Sequence, residues 1–353
     1  MRRTVYCEFE FLQGFIEENP CGKPMDFSET GLVKGRNWFQ LGLLMMKSSI
    51  VFNVTEKEFL KSVVGNDFLE QLWGKRNSGE CVVRFSESYK GIDELQCSDG
   101  KSDRLDSLFF TMLPVNVCNS IADTYGVLCL NLEMALQNSD IYDDFGEAVN
   151  AGSSVSWNFL EKHNVSSPTL RVSNSMIIVD NYLLNDKEKI QRNLFPILEY
   201  LLPCELSEEL EYHLSIFTTN KDDKLKFRHK LLSEEISRIR PKLKVRITIT
   251  QCTTADFHDR AIVTNNIWIG IGKGCDLLDK KGKAVQSTTI PIHFPFIQTS
   301  VRWGEAAWEN LLKNAESVFR KNHKKDFDFW GDYEMQNRLL QWYSLTKERS
   351  LKL

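Results

Sequence analysis

The sequence lacks an apolar run long enough to span a lipid bilayer, which requires roughly 20 consecutive apolar residues in a helix. The longest candidate, residues 262–271, is interrupted by two asparagines and a glycine. Near the beginning of the chain, Glu8 and Glu10 break the apolar stretch that a secretory signal peptide needs. We therefore expect a cytoplasmic protein with no transmembrane segment.

Close cysteine pairs are also missing. The 353 residues include nine cysteines, but these are scattered and none forms a Cys-x-x-Cys pair. An odd number of dispersed cysteines argues against a disulfide framework and against a structural zinc site. We expect reduced thiols, no bound metal and no cofactor.

Positive charge is scarce in the first half of the chain. Residues 1–165 carry 15 lysines and arginines and 24 acidic residues, a net charge of −9, whereas residues 166–353 carry 29 and 24, a net charge of +5. Turn-forming residues at 151–154 and 164–168 lie near this change of sign. The sequence thus predicts two domains, 1–165 and 166–353. The basic domain suits a phosphate-bearing partner, although +5 also fits an ordinary solvated surface.

The smaller, acidic N-terminal domain has the pattern of an α/β or α+β fold. Residues 4–11 alternate like a half-buried strand, and residues 48–54 predict a second strand. Thr55 and Glu58 have the spacing of a capping box for a helix over 56–64. These patterns assign no role to the domain.

Carboxylates in this domain raise the alternative of a divalent metal site, as in PIN-type nucleases. The candidates are Glu8, Glu10, Asp140, Asp143, Asp144 and Glu147. Such a site requires these side chains to converge on one cation. We favour the other interpretation, in which the strand carboxylates face solvent and the later run begins an acidic helix.

Strands and helices alternate in the C-terminal domain. The continuous β-branched run at 175–180 predicts a strand buried on both faces, and residues 212–218 and 244–250 predict two more. Helices between these strands predict crossover connections, and so a mixed, mainly parallel sheet flanked by helices. A pair of asparagines then separates two short apolar runs, which predicts a hairpin over 261–271.

His258 precedes the predicted hairpin and begins the most specific pattern in the sequence. Arg260 follows two residues later, Asn265 five residues after that, and Gly272 seven residues further on. Phospholipase-D-type enzymes have histidine, lysine, aspartate and glycine at these spacings, so the segment resembles their motif with two substitutions. In that motif the histidine attacks phosphorus, the cation holds phosphate oxygens and the carboxylate orients the ring. None of the other five histidines begins a second complete copy, which a paired active site requires.

The wider segment 258–276 resembles the phospholipase-D-like C-terminal domain of MIT-domain proteins, a family with bacterial relatives. The shared residues are His258-Asp259-Arg260, Asn265-Asn266-x-Trp268 and Gly272-x-Gly274-x-Asp276. The resemblance extends over residues 170–353 and implies a phospholipase-D-like fold without a complete paired catalytic motif. It also implies binding to acidic phosphoinositide membranes and, by analogy with the bacterial relatives, a role in antiviral defence.

The candidate ligand-binding residues are Asp180, Asn181, Asp259, Arg260, Gly272 and Lys273. Asp180 and Asn181 end a predicted strand, where open α/β sheets place their ligand crevices. Arg260 and Lys273 supply cations that bind phosphate. The alternative is structural: a hydrogen-bonded cluster at 258–260, a helix cap at Asp180 and close packing at the glycines.

Two functions remain open. The first is a recognition or effector module that binds a phosphate-containing ligand (nucleic acid, nucleotide or acidic lipid headgroup) and has a protein partner or forms a homodimer. The second is a phosphodiesterase or nuclease in which a homodimer brings two copies of His258 together, with Arg260 and Asn265 replacing lysine and aspartate. Asn265 favours the first, because a neutral amide cannot stabilise an imidazolium as a carboxylate does.

Overall fold

The computed structural model describes most of the chain, in two compact units. The described residues are 4–22, 26, 28–79, 81–86, 107–137, 145–154, 157, 159–160, 171–219, 225–272, 274–294, 304–322, 329–331 and 337–340. Unit 1 takes in residues 1–123, 127–143 and 296–301, and unit 2 takes in residues 124–126, 144–295 and 302–353. The fold is mixed α/β, with one sheet in each unit.

Unit 1 is built on a parallel sheet. Its strands are β1 (Thr4–Cys7), β2 (Ser49–Phe52), β3 (Val82–Phe85), β4 (Leu108–Thr111) and β5 (Leu128–Asn131). Its helices are α1 (Phe9–Glu17), α2 (Glu29–Lys47), α3 (Glu56–Val63), α4 (Asp67–Asn77), α5 (Val115–Tyr125, whose last turn belongs to unit 2) and α6 (Leu132–Gln137). The strand order is β3-β2-β1-β4-β5, and every pairing is parallel. The α/β alternative predicted for this region is therefore the one observed.

The first predicted strand is shorter than its alternating pattern suggested. Only residues 4–7 form the strand, and α1 begins at Phe9. Phe9, Phe11, Leu12 and Phe15 are all buried, so they form one apolar helix face that happens to begin with an alternating pair. Over so few residues, this spacing of apolar positions fits both the two-residue period of a strand and the 3.6-residue period of a helix. This ambiguity explains why the predicted strand was too long.

The predicted capping box is confirmed at the beginning of α3. The Thr55 side chain accepts a hydrogen bond from the Glu58 backbone N–H at 3.1 Å, and the Glu58 carboxylate accepts one from the Thr55 N–H at 2.9 Å. Two N–H groups that lack a partner inside the helix are thereby satisfied.

Unit 2 contains the second sheet and its flanking helices. Its strands are β6 (Phe145–Val149), β7 (Ser175–Val179), β8 (Tyr212–Thr218), β9 (Val245–Gln251), β10 (Ala261–Thr264), β11 (Trp268–Gly270), β12 (Thr288–His293) and β13 (Phe329–Trp330). Its helices are α7 (Lys187–Lys189), which continues through a π-helical turn (Ile190–Leu194) into α8 (Phe195–Leu201), then α9 (Leu225–Ile239) and α10 (Gly304–Asn322).

The sheet of unit 2 is mixed, but it is not mainly parallel as predicted. The order is β13-β9-β8-β7-β10-β11-β12-β6. Among these described strands, only β7 with β8 and β8 with β9 pair in parallel, and the other five pairings are antiparallel. The helical crossovers were read correctly from the sequence. The antiparallel majority arises because the predicted hairpin β10–β11 forms and is extended by β12 and β6.

The division between the units lies earlier in the chain than the sequence-based boundary at residues 165 and 166. Residues 144–165 belong to unit 2, because β6 pairs antiparallel with β12 over Phe145–Val149. Acidic composition therefore extends into the second unit. Among the described residues, no helix combines the length and the apolar character that crossing a membrane would require.

Candidate functional site

One end of the unit 2 sheet collects most of the candidate residues. There β7, β8 and β9 finish and β10 begins, because β7 is parallel to β8 and antiparallel to β10, with Ala261 opposite Val179. We call this end the carboxyl edge. Asp180 and Asn181 follow β7, and Arg260 immediately precedes β10. The structure thus brings together residues that are about 80 positions apart in the chain.

Asp180 is the buried centre of this edge, with 2 % of its surface exposed. Its carboxylate accepts hydrogen bonds from the Tyr182 N–H at 2.8 Å and from the Cys275 N–H at 2.5 Å. Burial raises the pKa of the Asp180 carboxyl, and the two hydrogen bonds and the charge of Arg260 oppose that shift. The carboxylate therefore ties the turn after β7 to the loop after β11.

Arg260 lies half-buried between Tyr182 and that loop. Its guanidinium carbon is 5.3 Å from the centre of the Tyr182 ring. Gly274 has a φ of +104°, and a Cβ added there would lie 2.6 Å from Asp180 Oδ2 and 3.1 Å from Arg260 Nη1. Only glycine tolerates both the backbone conformation and the close approach. Gly274 thus lets the loop close over the Asp180 and Arg260 side chains.

The loop after β11 is held in place by the α7–α8 segment. Asn193 is fully buried in the π-helical turn, and its Oδ1 accepts a hydrogen bond from the Leu278 N–H at 2.9 Å. Arg192 Nε donates to the Leu278 carbonyl at 3.0 Å, and Lys189 forms an ion pair with Asp276. π-Helical turns are uncommon and are often found at functional sites. Here the turn supports one wall of the carboxyl edge.

His258 and Asp259 lie beside Arg260 and are exposed. Within the described part of the chain, the His258 ring forms no hydrogen bond or ion pair. The side chain is accessible, and no described neighbouring group fixes its orientation. A hydrogen-bonded structural cluster of His258 with Asp259 and Arg260 is therefore not what the structure contains.

Asn265 lies at the other end of β10, and it does not orient His258. It is buried, and its Oδ1 accepts hydrogen bonds from the backbone N–H groups of Asn174 and Ser175, each at 2.9 Å. Its Nδ2 donates to Asn174 Oδ1 at 3.1 Å. The four residues of β10 alone separate His258 from Asn265 by roughly 13 Å. Asn265 therefore fixes the beginning of β7 and cannot take the role predicted for it in a catalytic motif.

The remaining predicted ligand residues differ in their surroundings. Asn181 is buried, and its carbonyl accepts a hydrogen bond from the Thr219 N–H at 3.1 Å, so its backbone joins the ends of β7 and β8. Gly272 is exposed, and an added Cβ would meet only Thr288 Oγ1, at 3.4 Å. Lys273 lies outside the described residues.

The predicted alternative of a metal site receives no support from the carboxylates that the structure describes. Among those residues there is no group of three or more His, Cys, Asp or Glu side chains placed to hold a metal ion. Glu8 instead accepts hydrogen bonds from Thr111 Oγ1 at 2.9 Å and from the Met112 N–H at 2.7 Å. Glu10 is exposed on α1, and Glu147 lies on β6 opposite Ile290 in unit 2. The prediction that the run at 140–147 begins a helix is therefore wrong for its described residues, 145–147, which belong to a strand. Asp140, Asp143 and Asp144 lie outside the described residues.

A buried histidine lies at the opposite end of β8 and was not singled out from the sequence. His213 is 6 % exposed, and neither ring nitrogen has a hydrogen-bond partner among the residues that the structure describes. Burial lowers the pKa of His213 to about 3, and the charges of Arg338 and Arg246 contribute in the same direction. Nothing in the sequence of β8 distinguishes a histidine that is buried and unpaired from one that is exposed, so the sequence did not indicate this residue.

Tyr182 and Cys275 were also missed as parts of the carboxyl edge, whereas Gly274 was predicted to allow close packing. The alternating glycines from 270 to 274 were a signal, since such a run permits close backbone approach. No sequence pattern indicated Tyr182, because its role depends on a contact with Arg260 across the sheet.

No protein-family model and no curated protein sequence matches the chain.

Proposed function

We propose that unit 2 is a recognition module that binds a phosphate-containing ligand at the carboxyl edge, with Arg260 as its principal contact. The observation that carries the proposal is the placement of this guanidinium. It is half-buried at the end of the sheet, stacked on Tyr182 and covered by the loop at Gly274. A preorganised guanidinium binds phosphate oxygens in a bidentate manner and loses little side-chain entropy on binding.

The surroundings of His258 favour recognition over catalysis. A nucleophilic histidine needs a neighbouring group that fixes its ring and stabilises its charge. His258 has no such partner among the described residues, and Asn265 serves the beginning of β7. The resemblance of segment 258–276 to the phospholipase-D-like domain of MIT-domain proteins, which lacks a complete paired motif, agrees with this choice.

Binding measurements on Arg260 variants test the proposal. Arg260→Ala should weaken binding of a phosphate-bearing probe, such as an oligonucleotide or a vesicle containing acidic lipid, by about tenfold or more at low salt. Arg260→Lys should weaken it less, because the charge is kept and the bidentate geometry is lost. Arg238→Ala is the matched control, since Arg238 is an exposed arginine of unit 2 that pairs with Glu235 on α9. Equal binding by wild type and Arg260→Ala would refute the proposal.

A homodimeric phosphodiesterase is the second candidate, and the exposure of His258 is the observation that favours it. A two-fold interface brings the same residue of both subunits together. In that case His258→Gln should abolish hydrolysis of a generic phosphodiester and leave binding intact, and the active species should have the mass of a dimer. Absence of hydrolysis in a dimeric sample of the wild-type protein would eliminate this candidate.

We extend the first proposal to a cytoplasmic role in bacterial antiviral defence, on the basis of the same resemblance. Bacteria that express the wild-type protein should then resist some phages better than bacteria that express Arg260→Ala. Equal plaque formation across a broad phage panel would argue against this role.

A further inference from the structure

Exposed aromatic rings lie beside cations along the carboxyl edge of unit 2. The large apolar side chains of unit 2 that the structure describes as exposed are Tyr182, Phe227 and Val285, with 47, 53 and 59 % of their surfaces accessible. Two of the three are aromatic, and both follow strands that end at this edge. Single exposed rings are common on protein surfaces. What distinguishes these two is that each lies beside a cation at the same edge of the sheet.

Tyr182 has one face covered and the rest accessible. Its backbone N–H donates to Asp180, and its ring stacks with the Arg260 guanidinium. The Asn185 N–H donates to the Tyr182 carbonyl at 3.2 Å, which closes a tight turn and holds the residue in place. The ring is therefore a fixed, flat surface that can receive a second planar group.

Phe227 lies in the first turn of α9, beside a cation that has no anionic partner among the described residues. Arg228 is 7 % exposed, and its guanidinium carbon is 5.8 Å from the centre of the Phe227 ring. Its Nη2 donates to the Asn185 carbonyl at 2.9 Å, whereas its Nε is buried and has no partner in the part of the chain that the structure describes. Among the residues that the structure describes, no carboxylate pairs with Arg228. Buried charges are normally paired, so Arg228 fits an anion supplied by a ligand.

The turn at residues 182–185 connects the Tyr182 ring with the Phe227–Arg228 pair. Asn185 bonds to Tyr182 through its N–H and to Arg228 through its carbonyl. A third pair extends the row, since the Lys226 ammonium lies 5.5 Å from the centre of the partly exposed Trp330 ring on β13. Tyr182 follows β7, Phe227 follows β8, and β13 flanks β9, so the three rings follow the order of the strands along the edge.

We infer that the ligand of unit 2 is single-stranded DNA or RNA, whose bases stack on Tyr182 and Phe227 and whose backbone phosphate binds Arg228. This inference rests on the proposed function and specifies its ligand class. Rows of accessible aromatic rings beside cations are the usual way in which proteins bind single strands without sequence preference. A lipid headgroup offers phosphate but no planar group that stacks on a ring held beside a guanidinium. Exposed rings also insert into membrane interfaces, and the vesicle arm of the test distinguishes the two ligands.

The test compares ligands that share phosphates but differ in bases. Fluorescence anisotropy would measure binding of labelled oligothymidylate and oligouridylate of about ten nucleotides, and of an abasic strand of the same length. Vesicles of phosphatidylcholine and phosphatidylserine form a separate arm. Tyr182→Ala and Phe227→Ala should each weaken oligonucleotide binding between about fivefold and about a hundredfold. Phe227→Ala should leave abasic-strand binding unchanged, whereas Tyr182→Ala should weaken it less than it weakens oligonucleotide binding, because Tyr182 also positions Arg260.

Conservative variants keep the test specific. Tyr182→Phe retains the ring and should bind within about twofold of wild type, and Val285→Ala should also leave binding unchanged because it alters an exposed apolar residue outside the row. Arg228→Gln should reduce the slope of log affinity against log salt by about 0.7, the value for one phosphate contact on a single strand. Unchanged thermal unfolding would show that the ring variants fold normally.

The outcomes distinguish failure of the single-strand inference from failure of the proposed phosphate-binding function. If the ring variants bind oligonucleotides as wild type does, or weaken the abasic strand equally, the stacking inference is wrong. If only vesicles bind, and Arg260→Ala weakens that binding, the ligand is a membrane and the proposed function stands without the inference. If no phosphate-bearing probe binds the wild-type protein, both fail.

Discussion

Replacement of His213 by leucine should remove a pH-dependent loss of stability. The histidine is 6 % exposed, its pKa is lowered to about 3 by burial, and its ring nitrogens make no hydrogen bonds within the described ranges of the chain. In the unfolded chain a histidine titrates at about 6.5. As the pH falls below that value, the unfolded state takes up a proton that the folded state refuses, so the free energy of unfolding falls until the pH reaches the folded pKa.

The size of this effect follows from the two pKa values. With an unfolded pKa of about 6.5 and a folded pKa well below 5, lowering the pH from 7 to 5 should cost about 2 kcal/mol of stability from this residue alone. His213→Leu should lack that loss. At pH 7 the variant should lie within about 1 kcal/mol of wild type, because replacement of an unpaired buried polar group by an apolar one of similar size is nearly neutral or stabilising.

Urea-induced unfolding at pH 7 and pH 5, followed by circular dichroism, provides the measurement. Other groups titrate identically in wild type and variant, including His229, whose pKa burial also lowers, so the difference between the two proteins isolates His213. Ile216→Val on the same strand is the control, since it should reduce stability by about 1 kcal/mol at both pH values. A His213→Leu protein that loses as much stability as wild type between pH 7 and pH 5 would refute the reasoning.

Three further predictions concern the fold around the site and in unit 1. Gly274→Ala should lower the free energy of unfolding by about 1–3 kcal/mol in thermal unfolding, because φ is +104° and the Cβ would meet Asp180, whereas Gly272→Ala should cost much less. Asn265→Ala should cost more than about 2 kcal/mol, because two buried N–H groups lose their acceptor, and Asn265→Asp should produce no hydrolysis although it restores one of the two substituted positions of the phospholipase-D pattern. Thr55→Ala should destabilise unit 1 by about 0.5–2 kcal/mol in urea, and Thr55→Ser should not.

Local patterns predicted the elements of unit 2 well. The strand at 212–218 has the predicted bounds, β7 and β9 differ from theirs by a residue, and the hairpin forms around the two asparagines. These elements are specified by short runs of β-branched residues, by turn residues and by prolines, all of which act locally. Strand direction is different, because the pairing of β12 with β6 depends on contacts about 140 residues apart. The sequence of either segment alone does not indicate this pairing.

The candidate site was predicted in part for the same reason. Arg260 and Asp180 were identified from a motif and from a strand end, and the structure brings them together. Tyr182 and Arg228 were not identified, since the roles proposed for them depend on exposure, on a shared hydrogen-bonded turn and on the absence of a carboxylate partner among the described residues. A sequence specifies which residues are present, but whether a buried cation has a partner is decided by the tertiary fold.

The early position of β6 has a consequence for dissection of the protein. β6 covers one side of β12 in the unit 2 sheet, and it precedes the turn-rich residues at which a fragment would naturally be cut. A fragment that begins at residue 166 would leave β12 as an uncovered strand with open N–H and C=O groups, a template for intermolecular pairing and aggregation. Unit 2 fragments should therefore begin before Phe145.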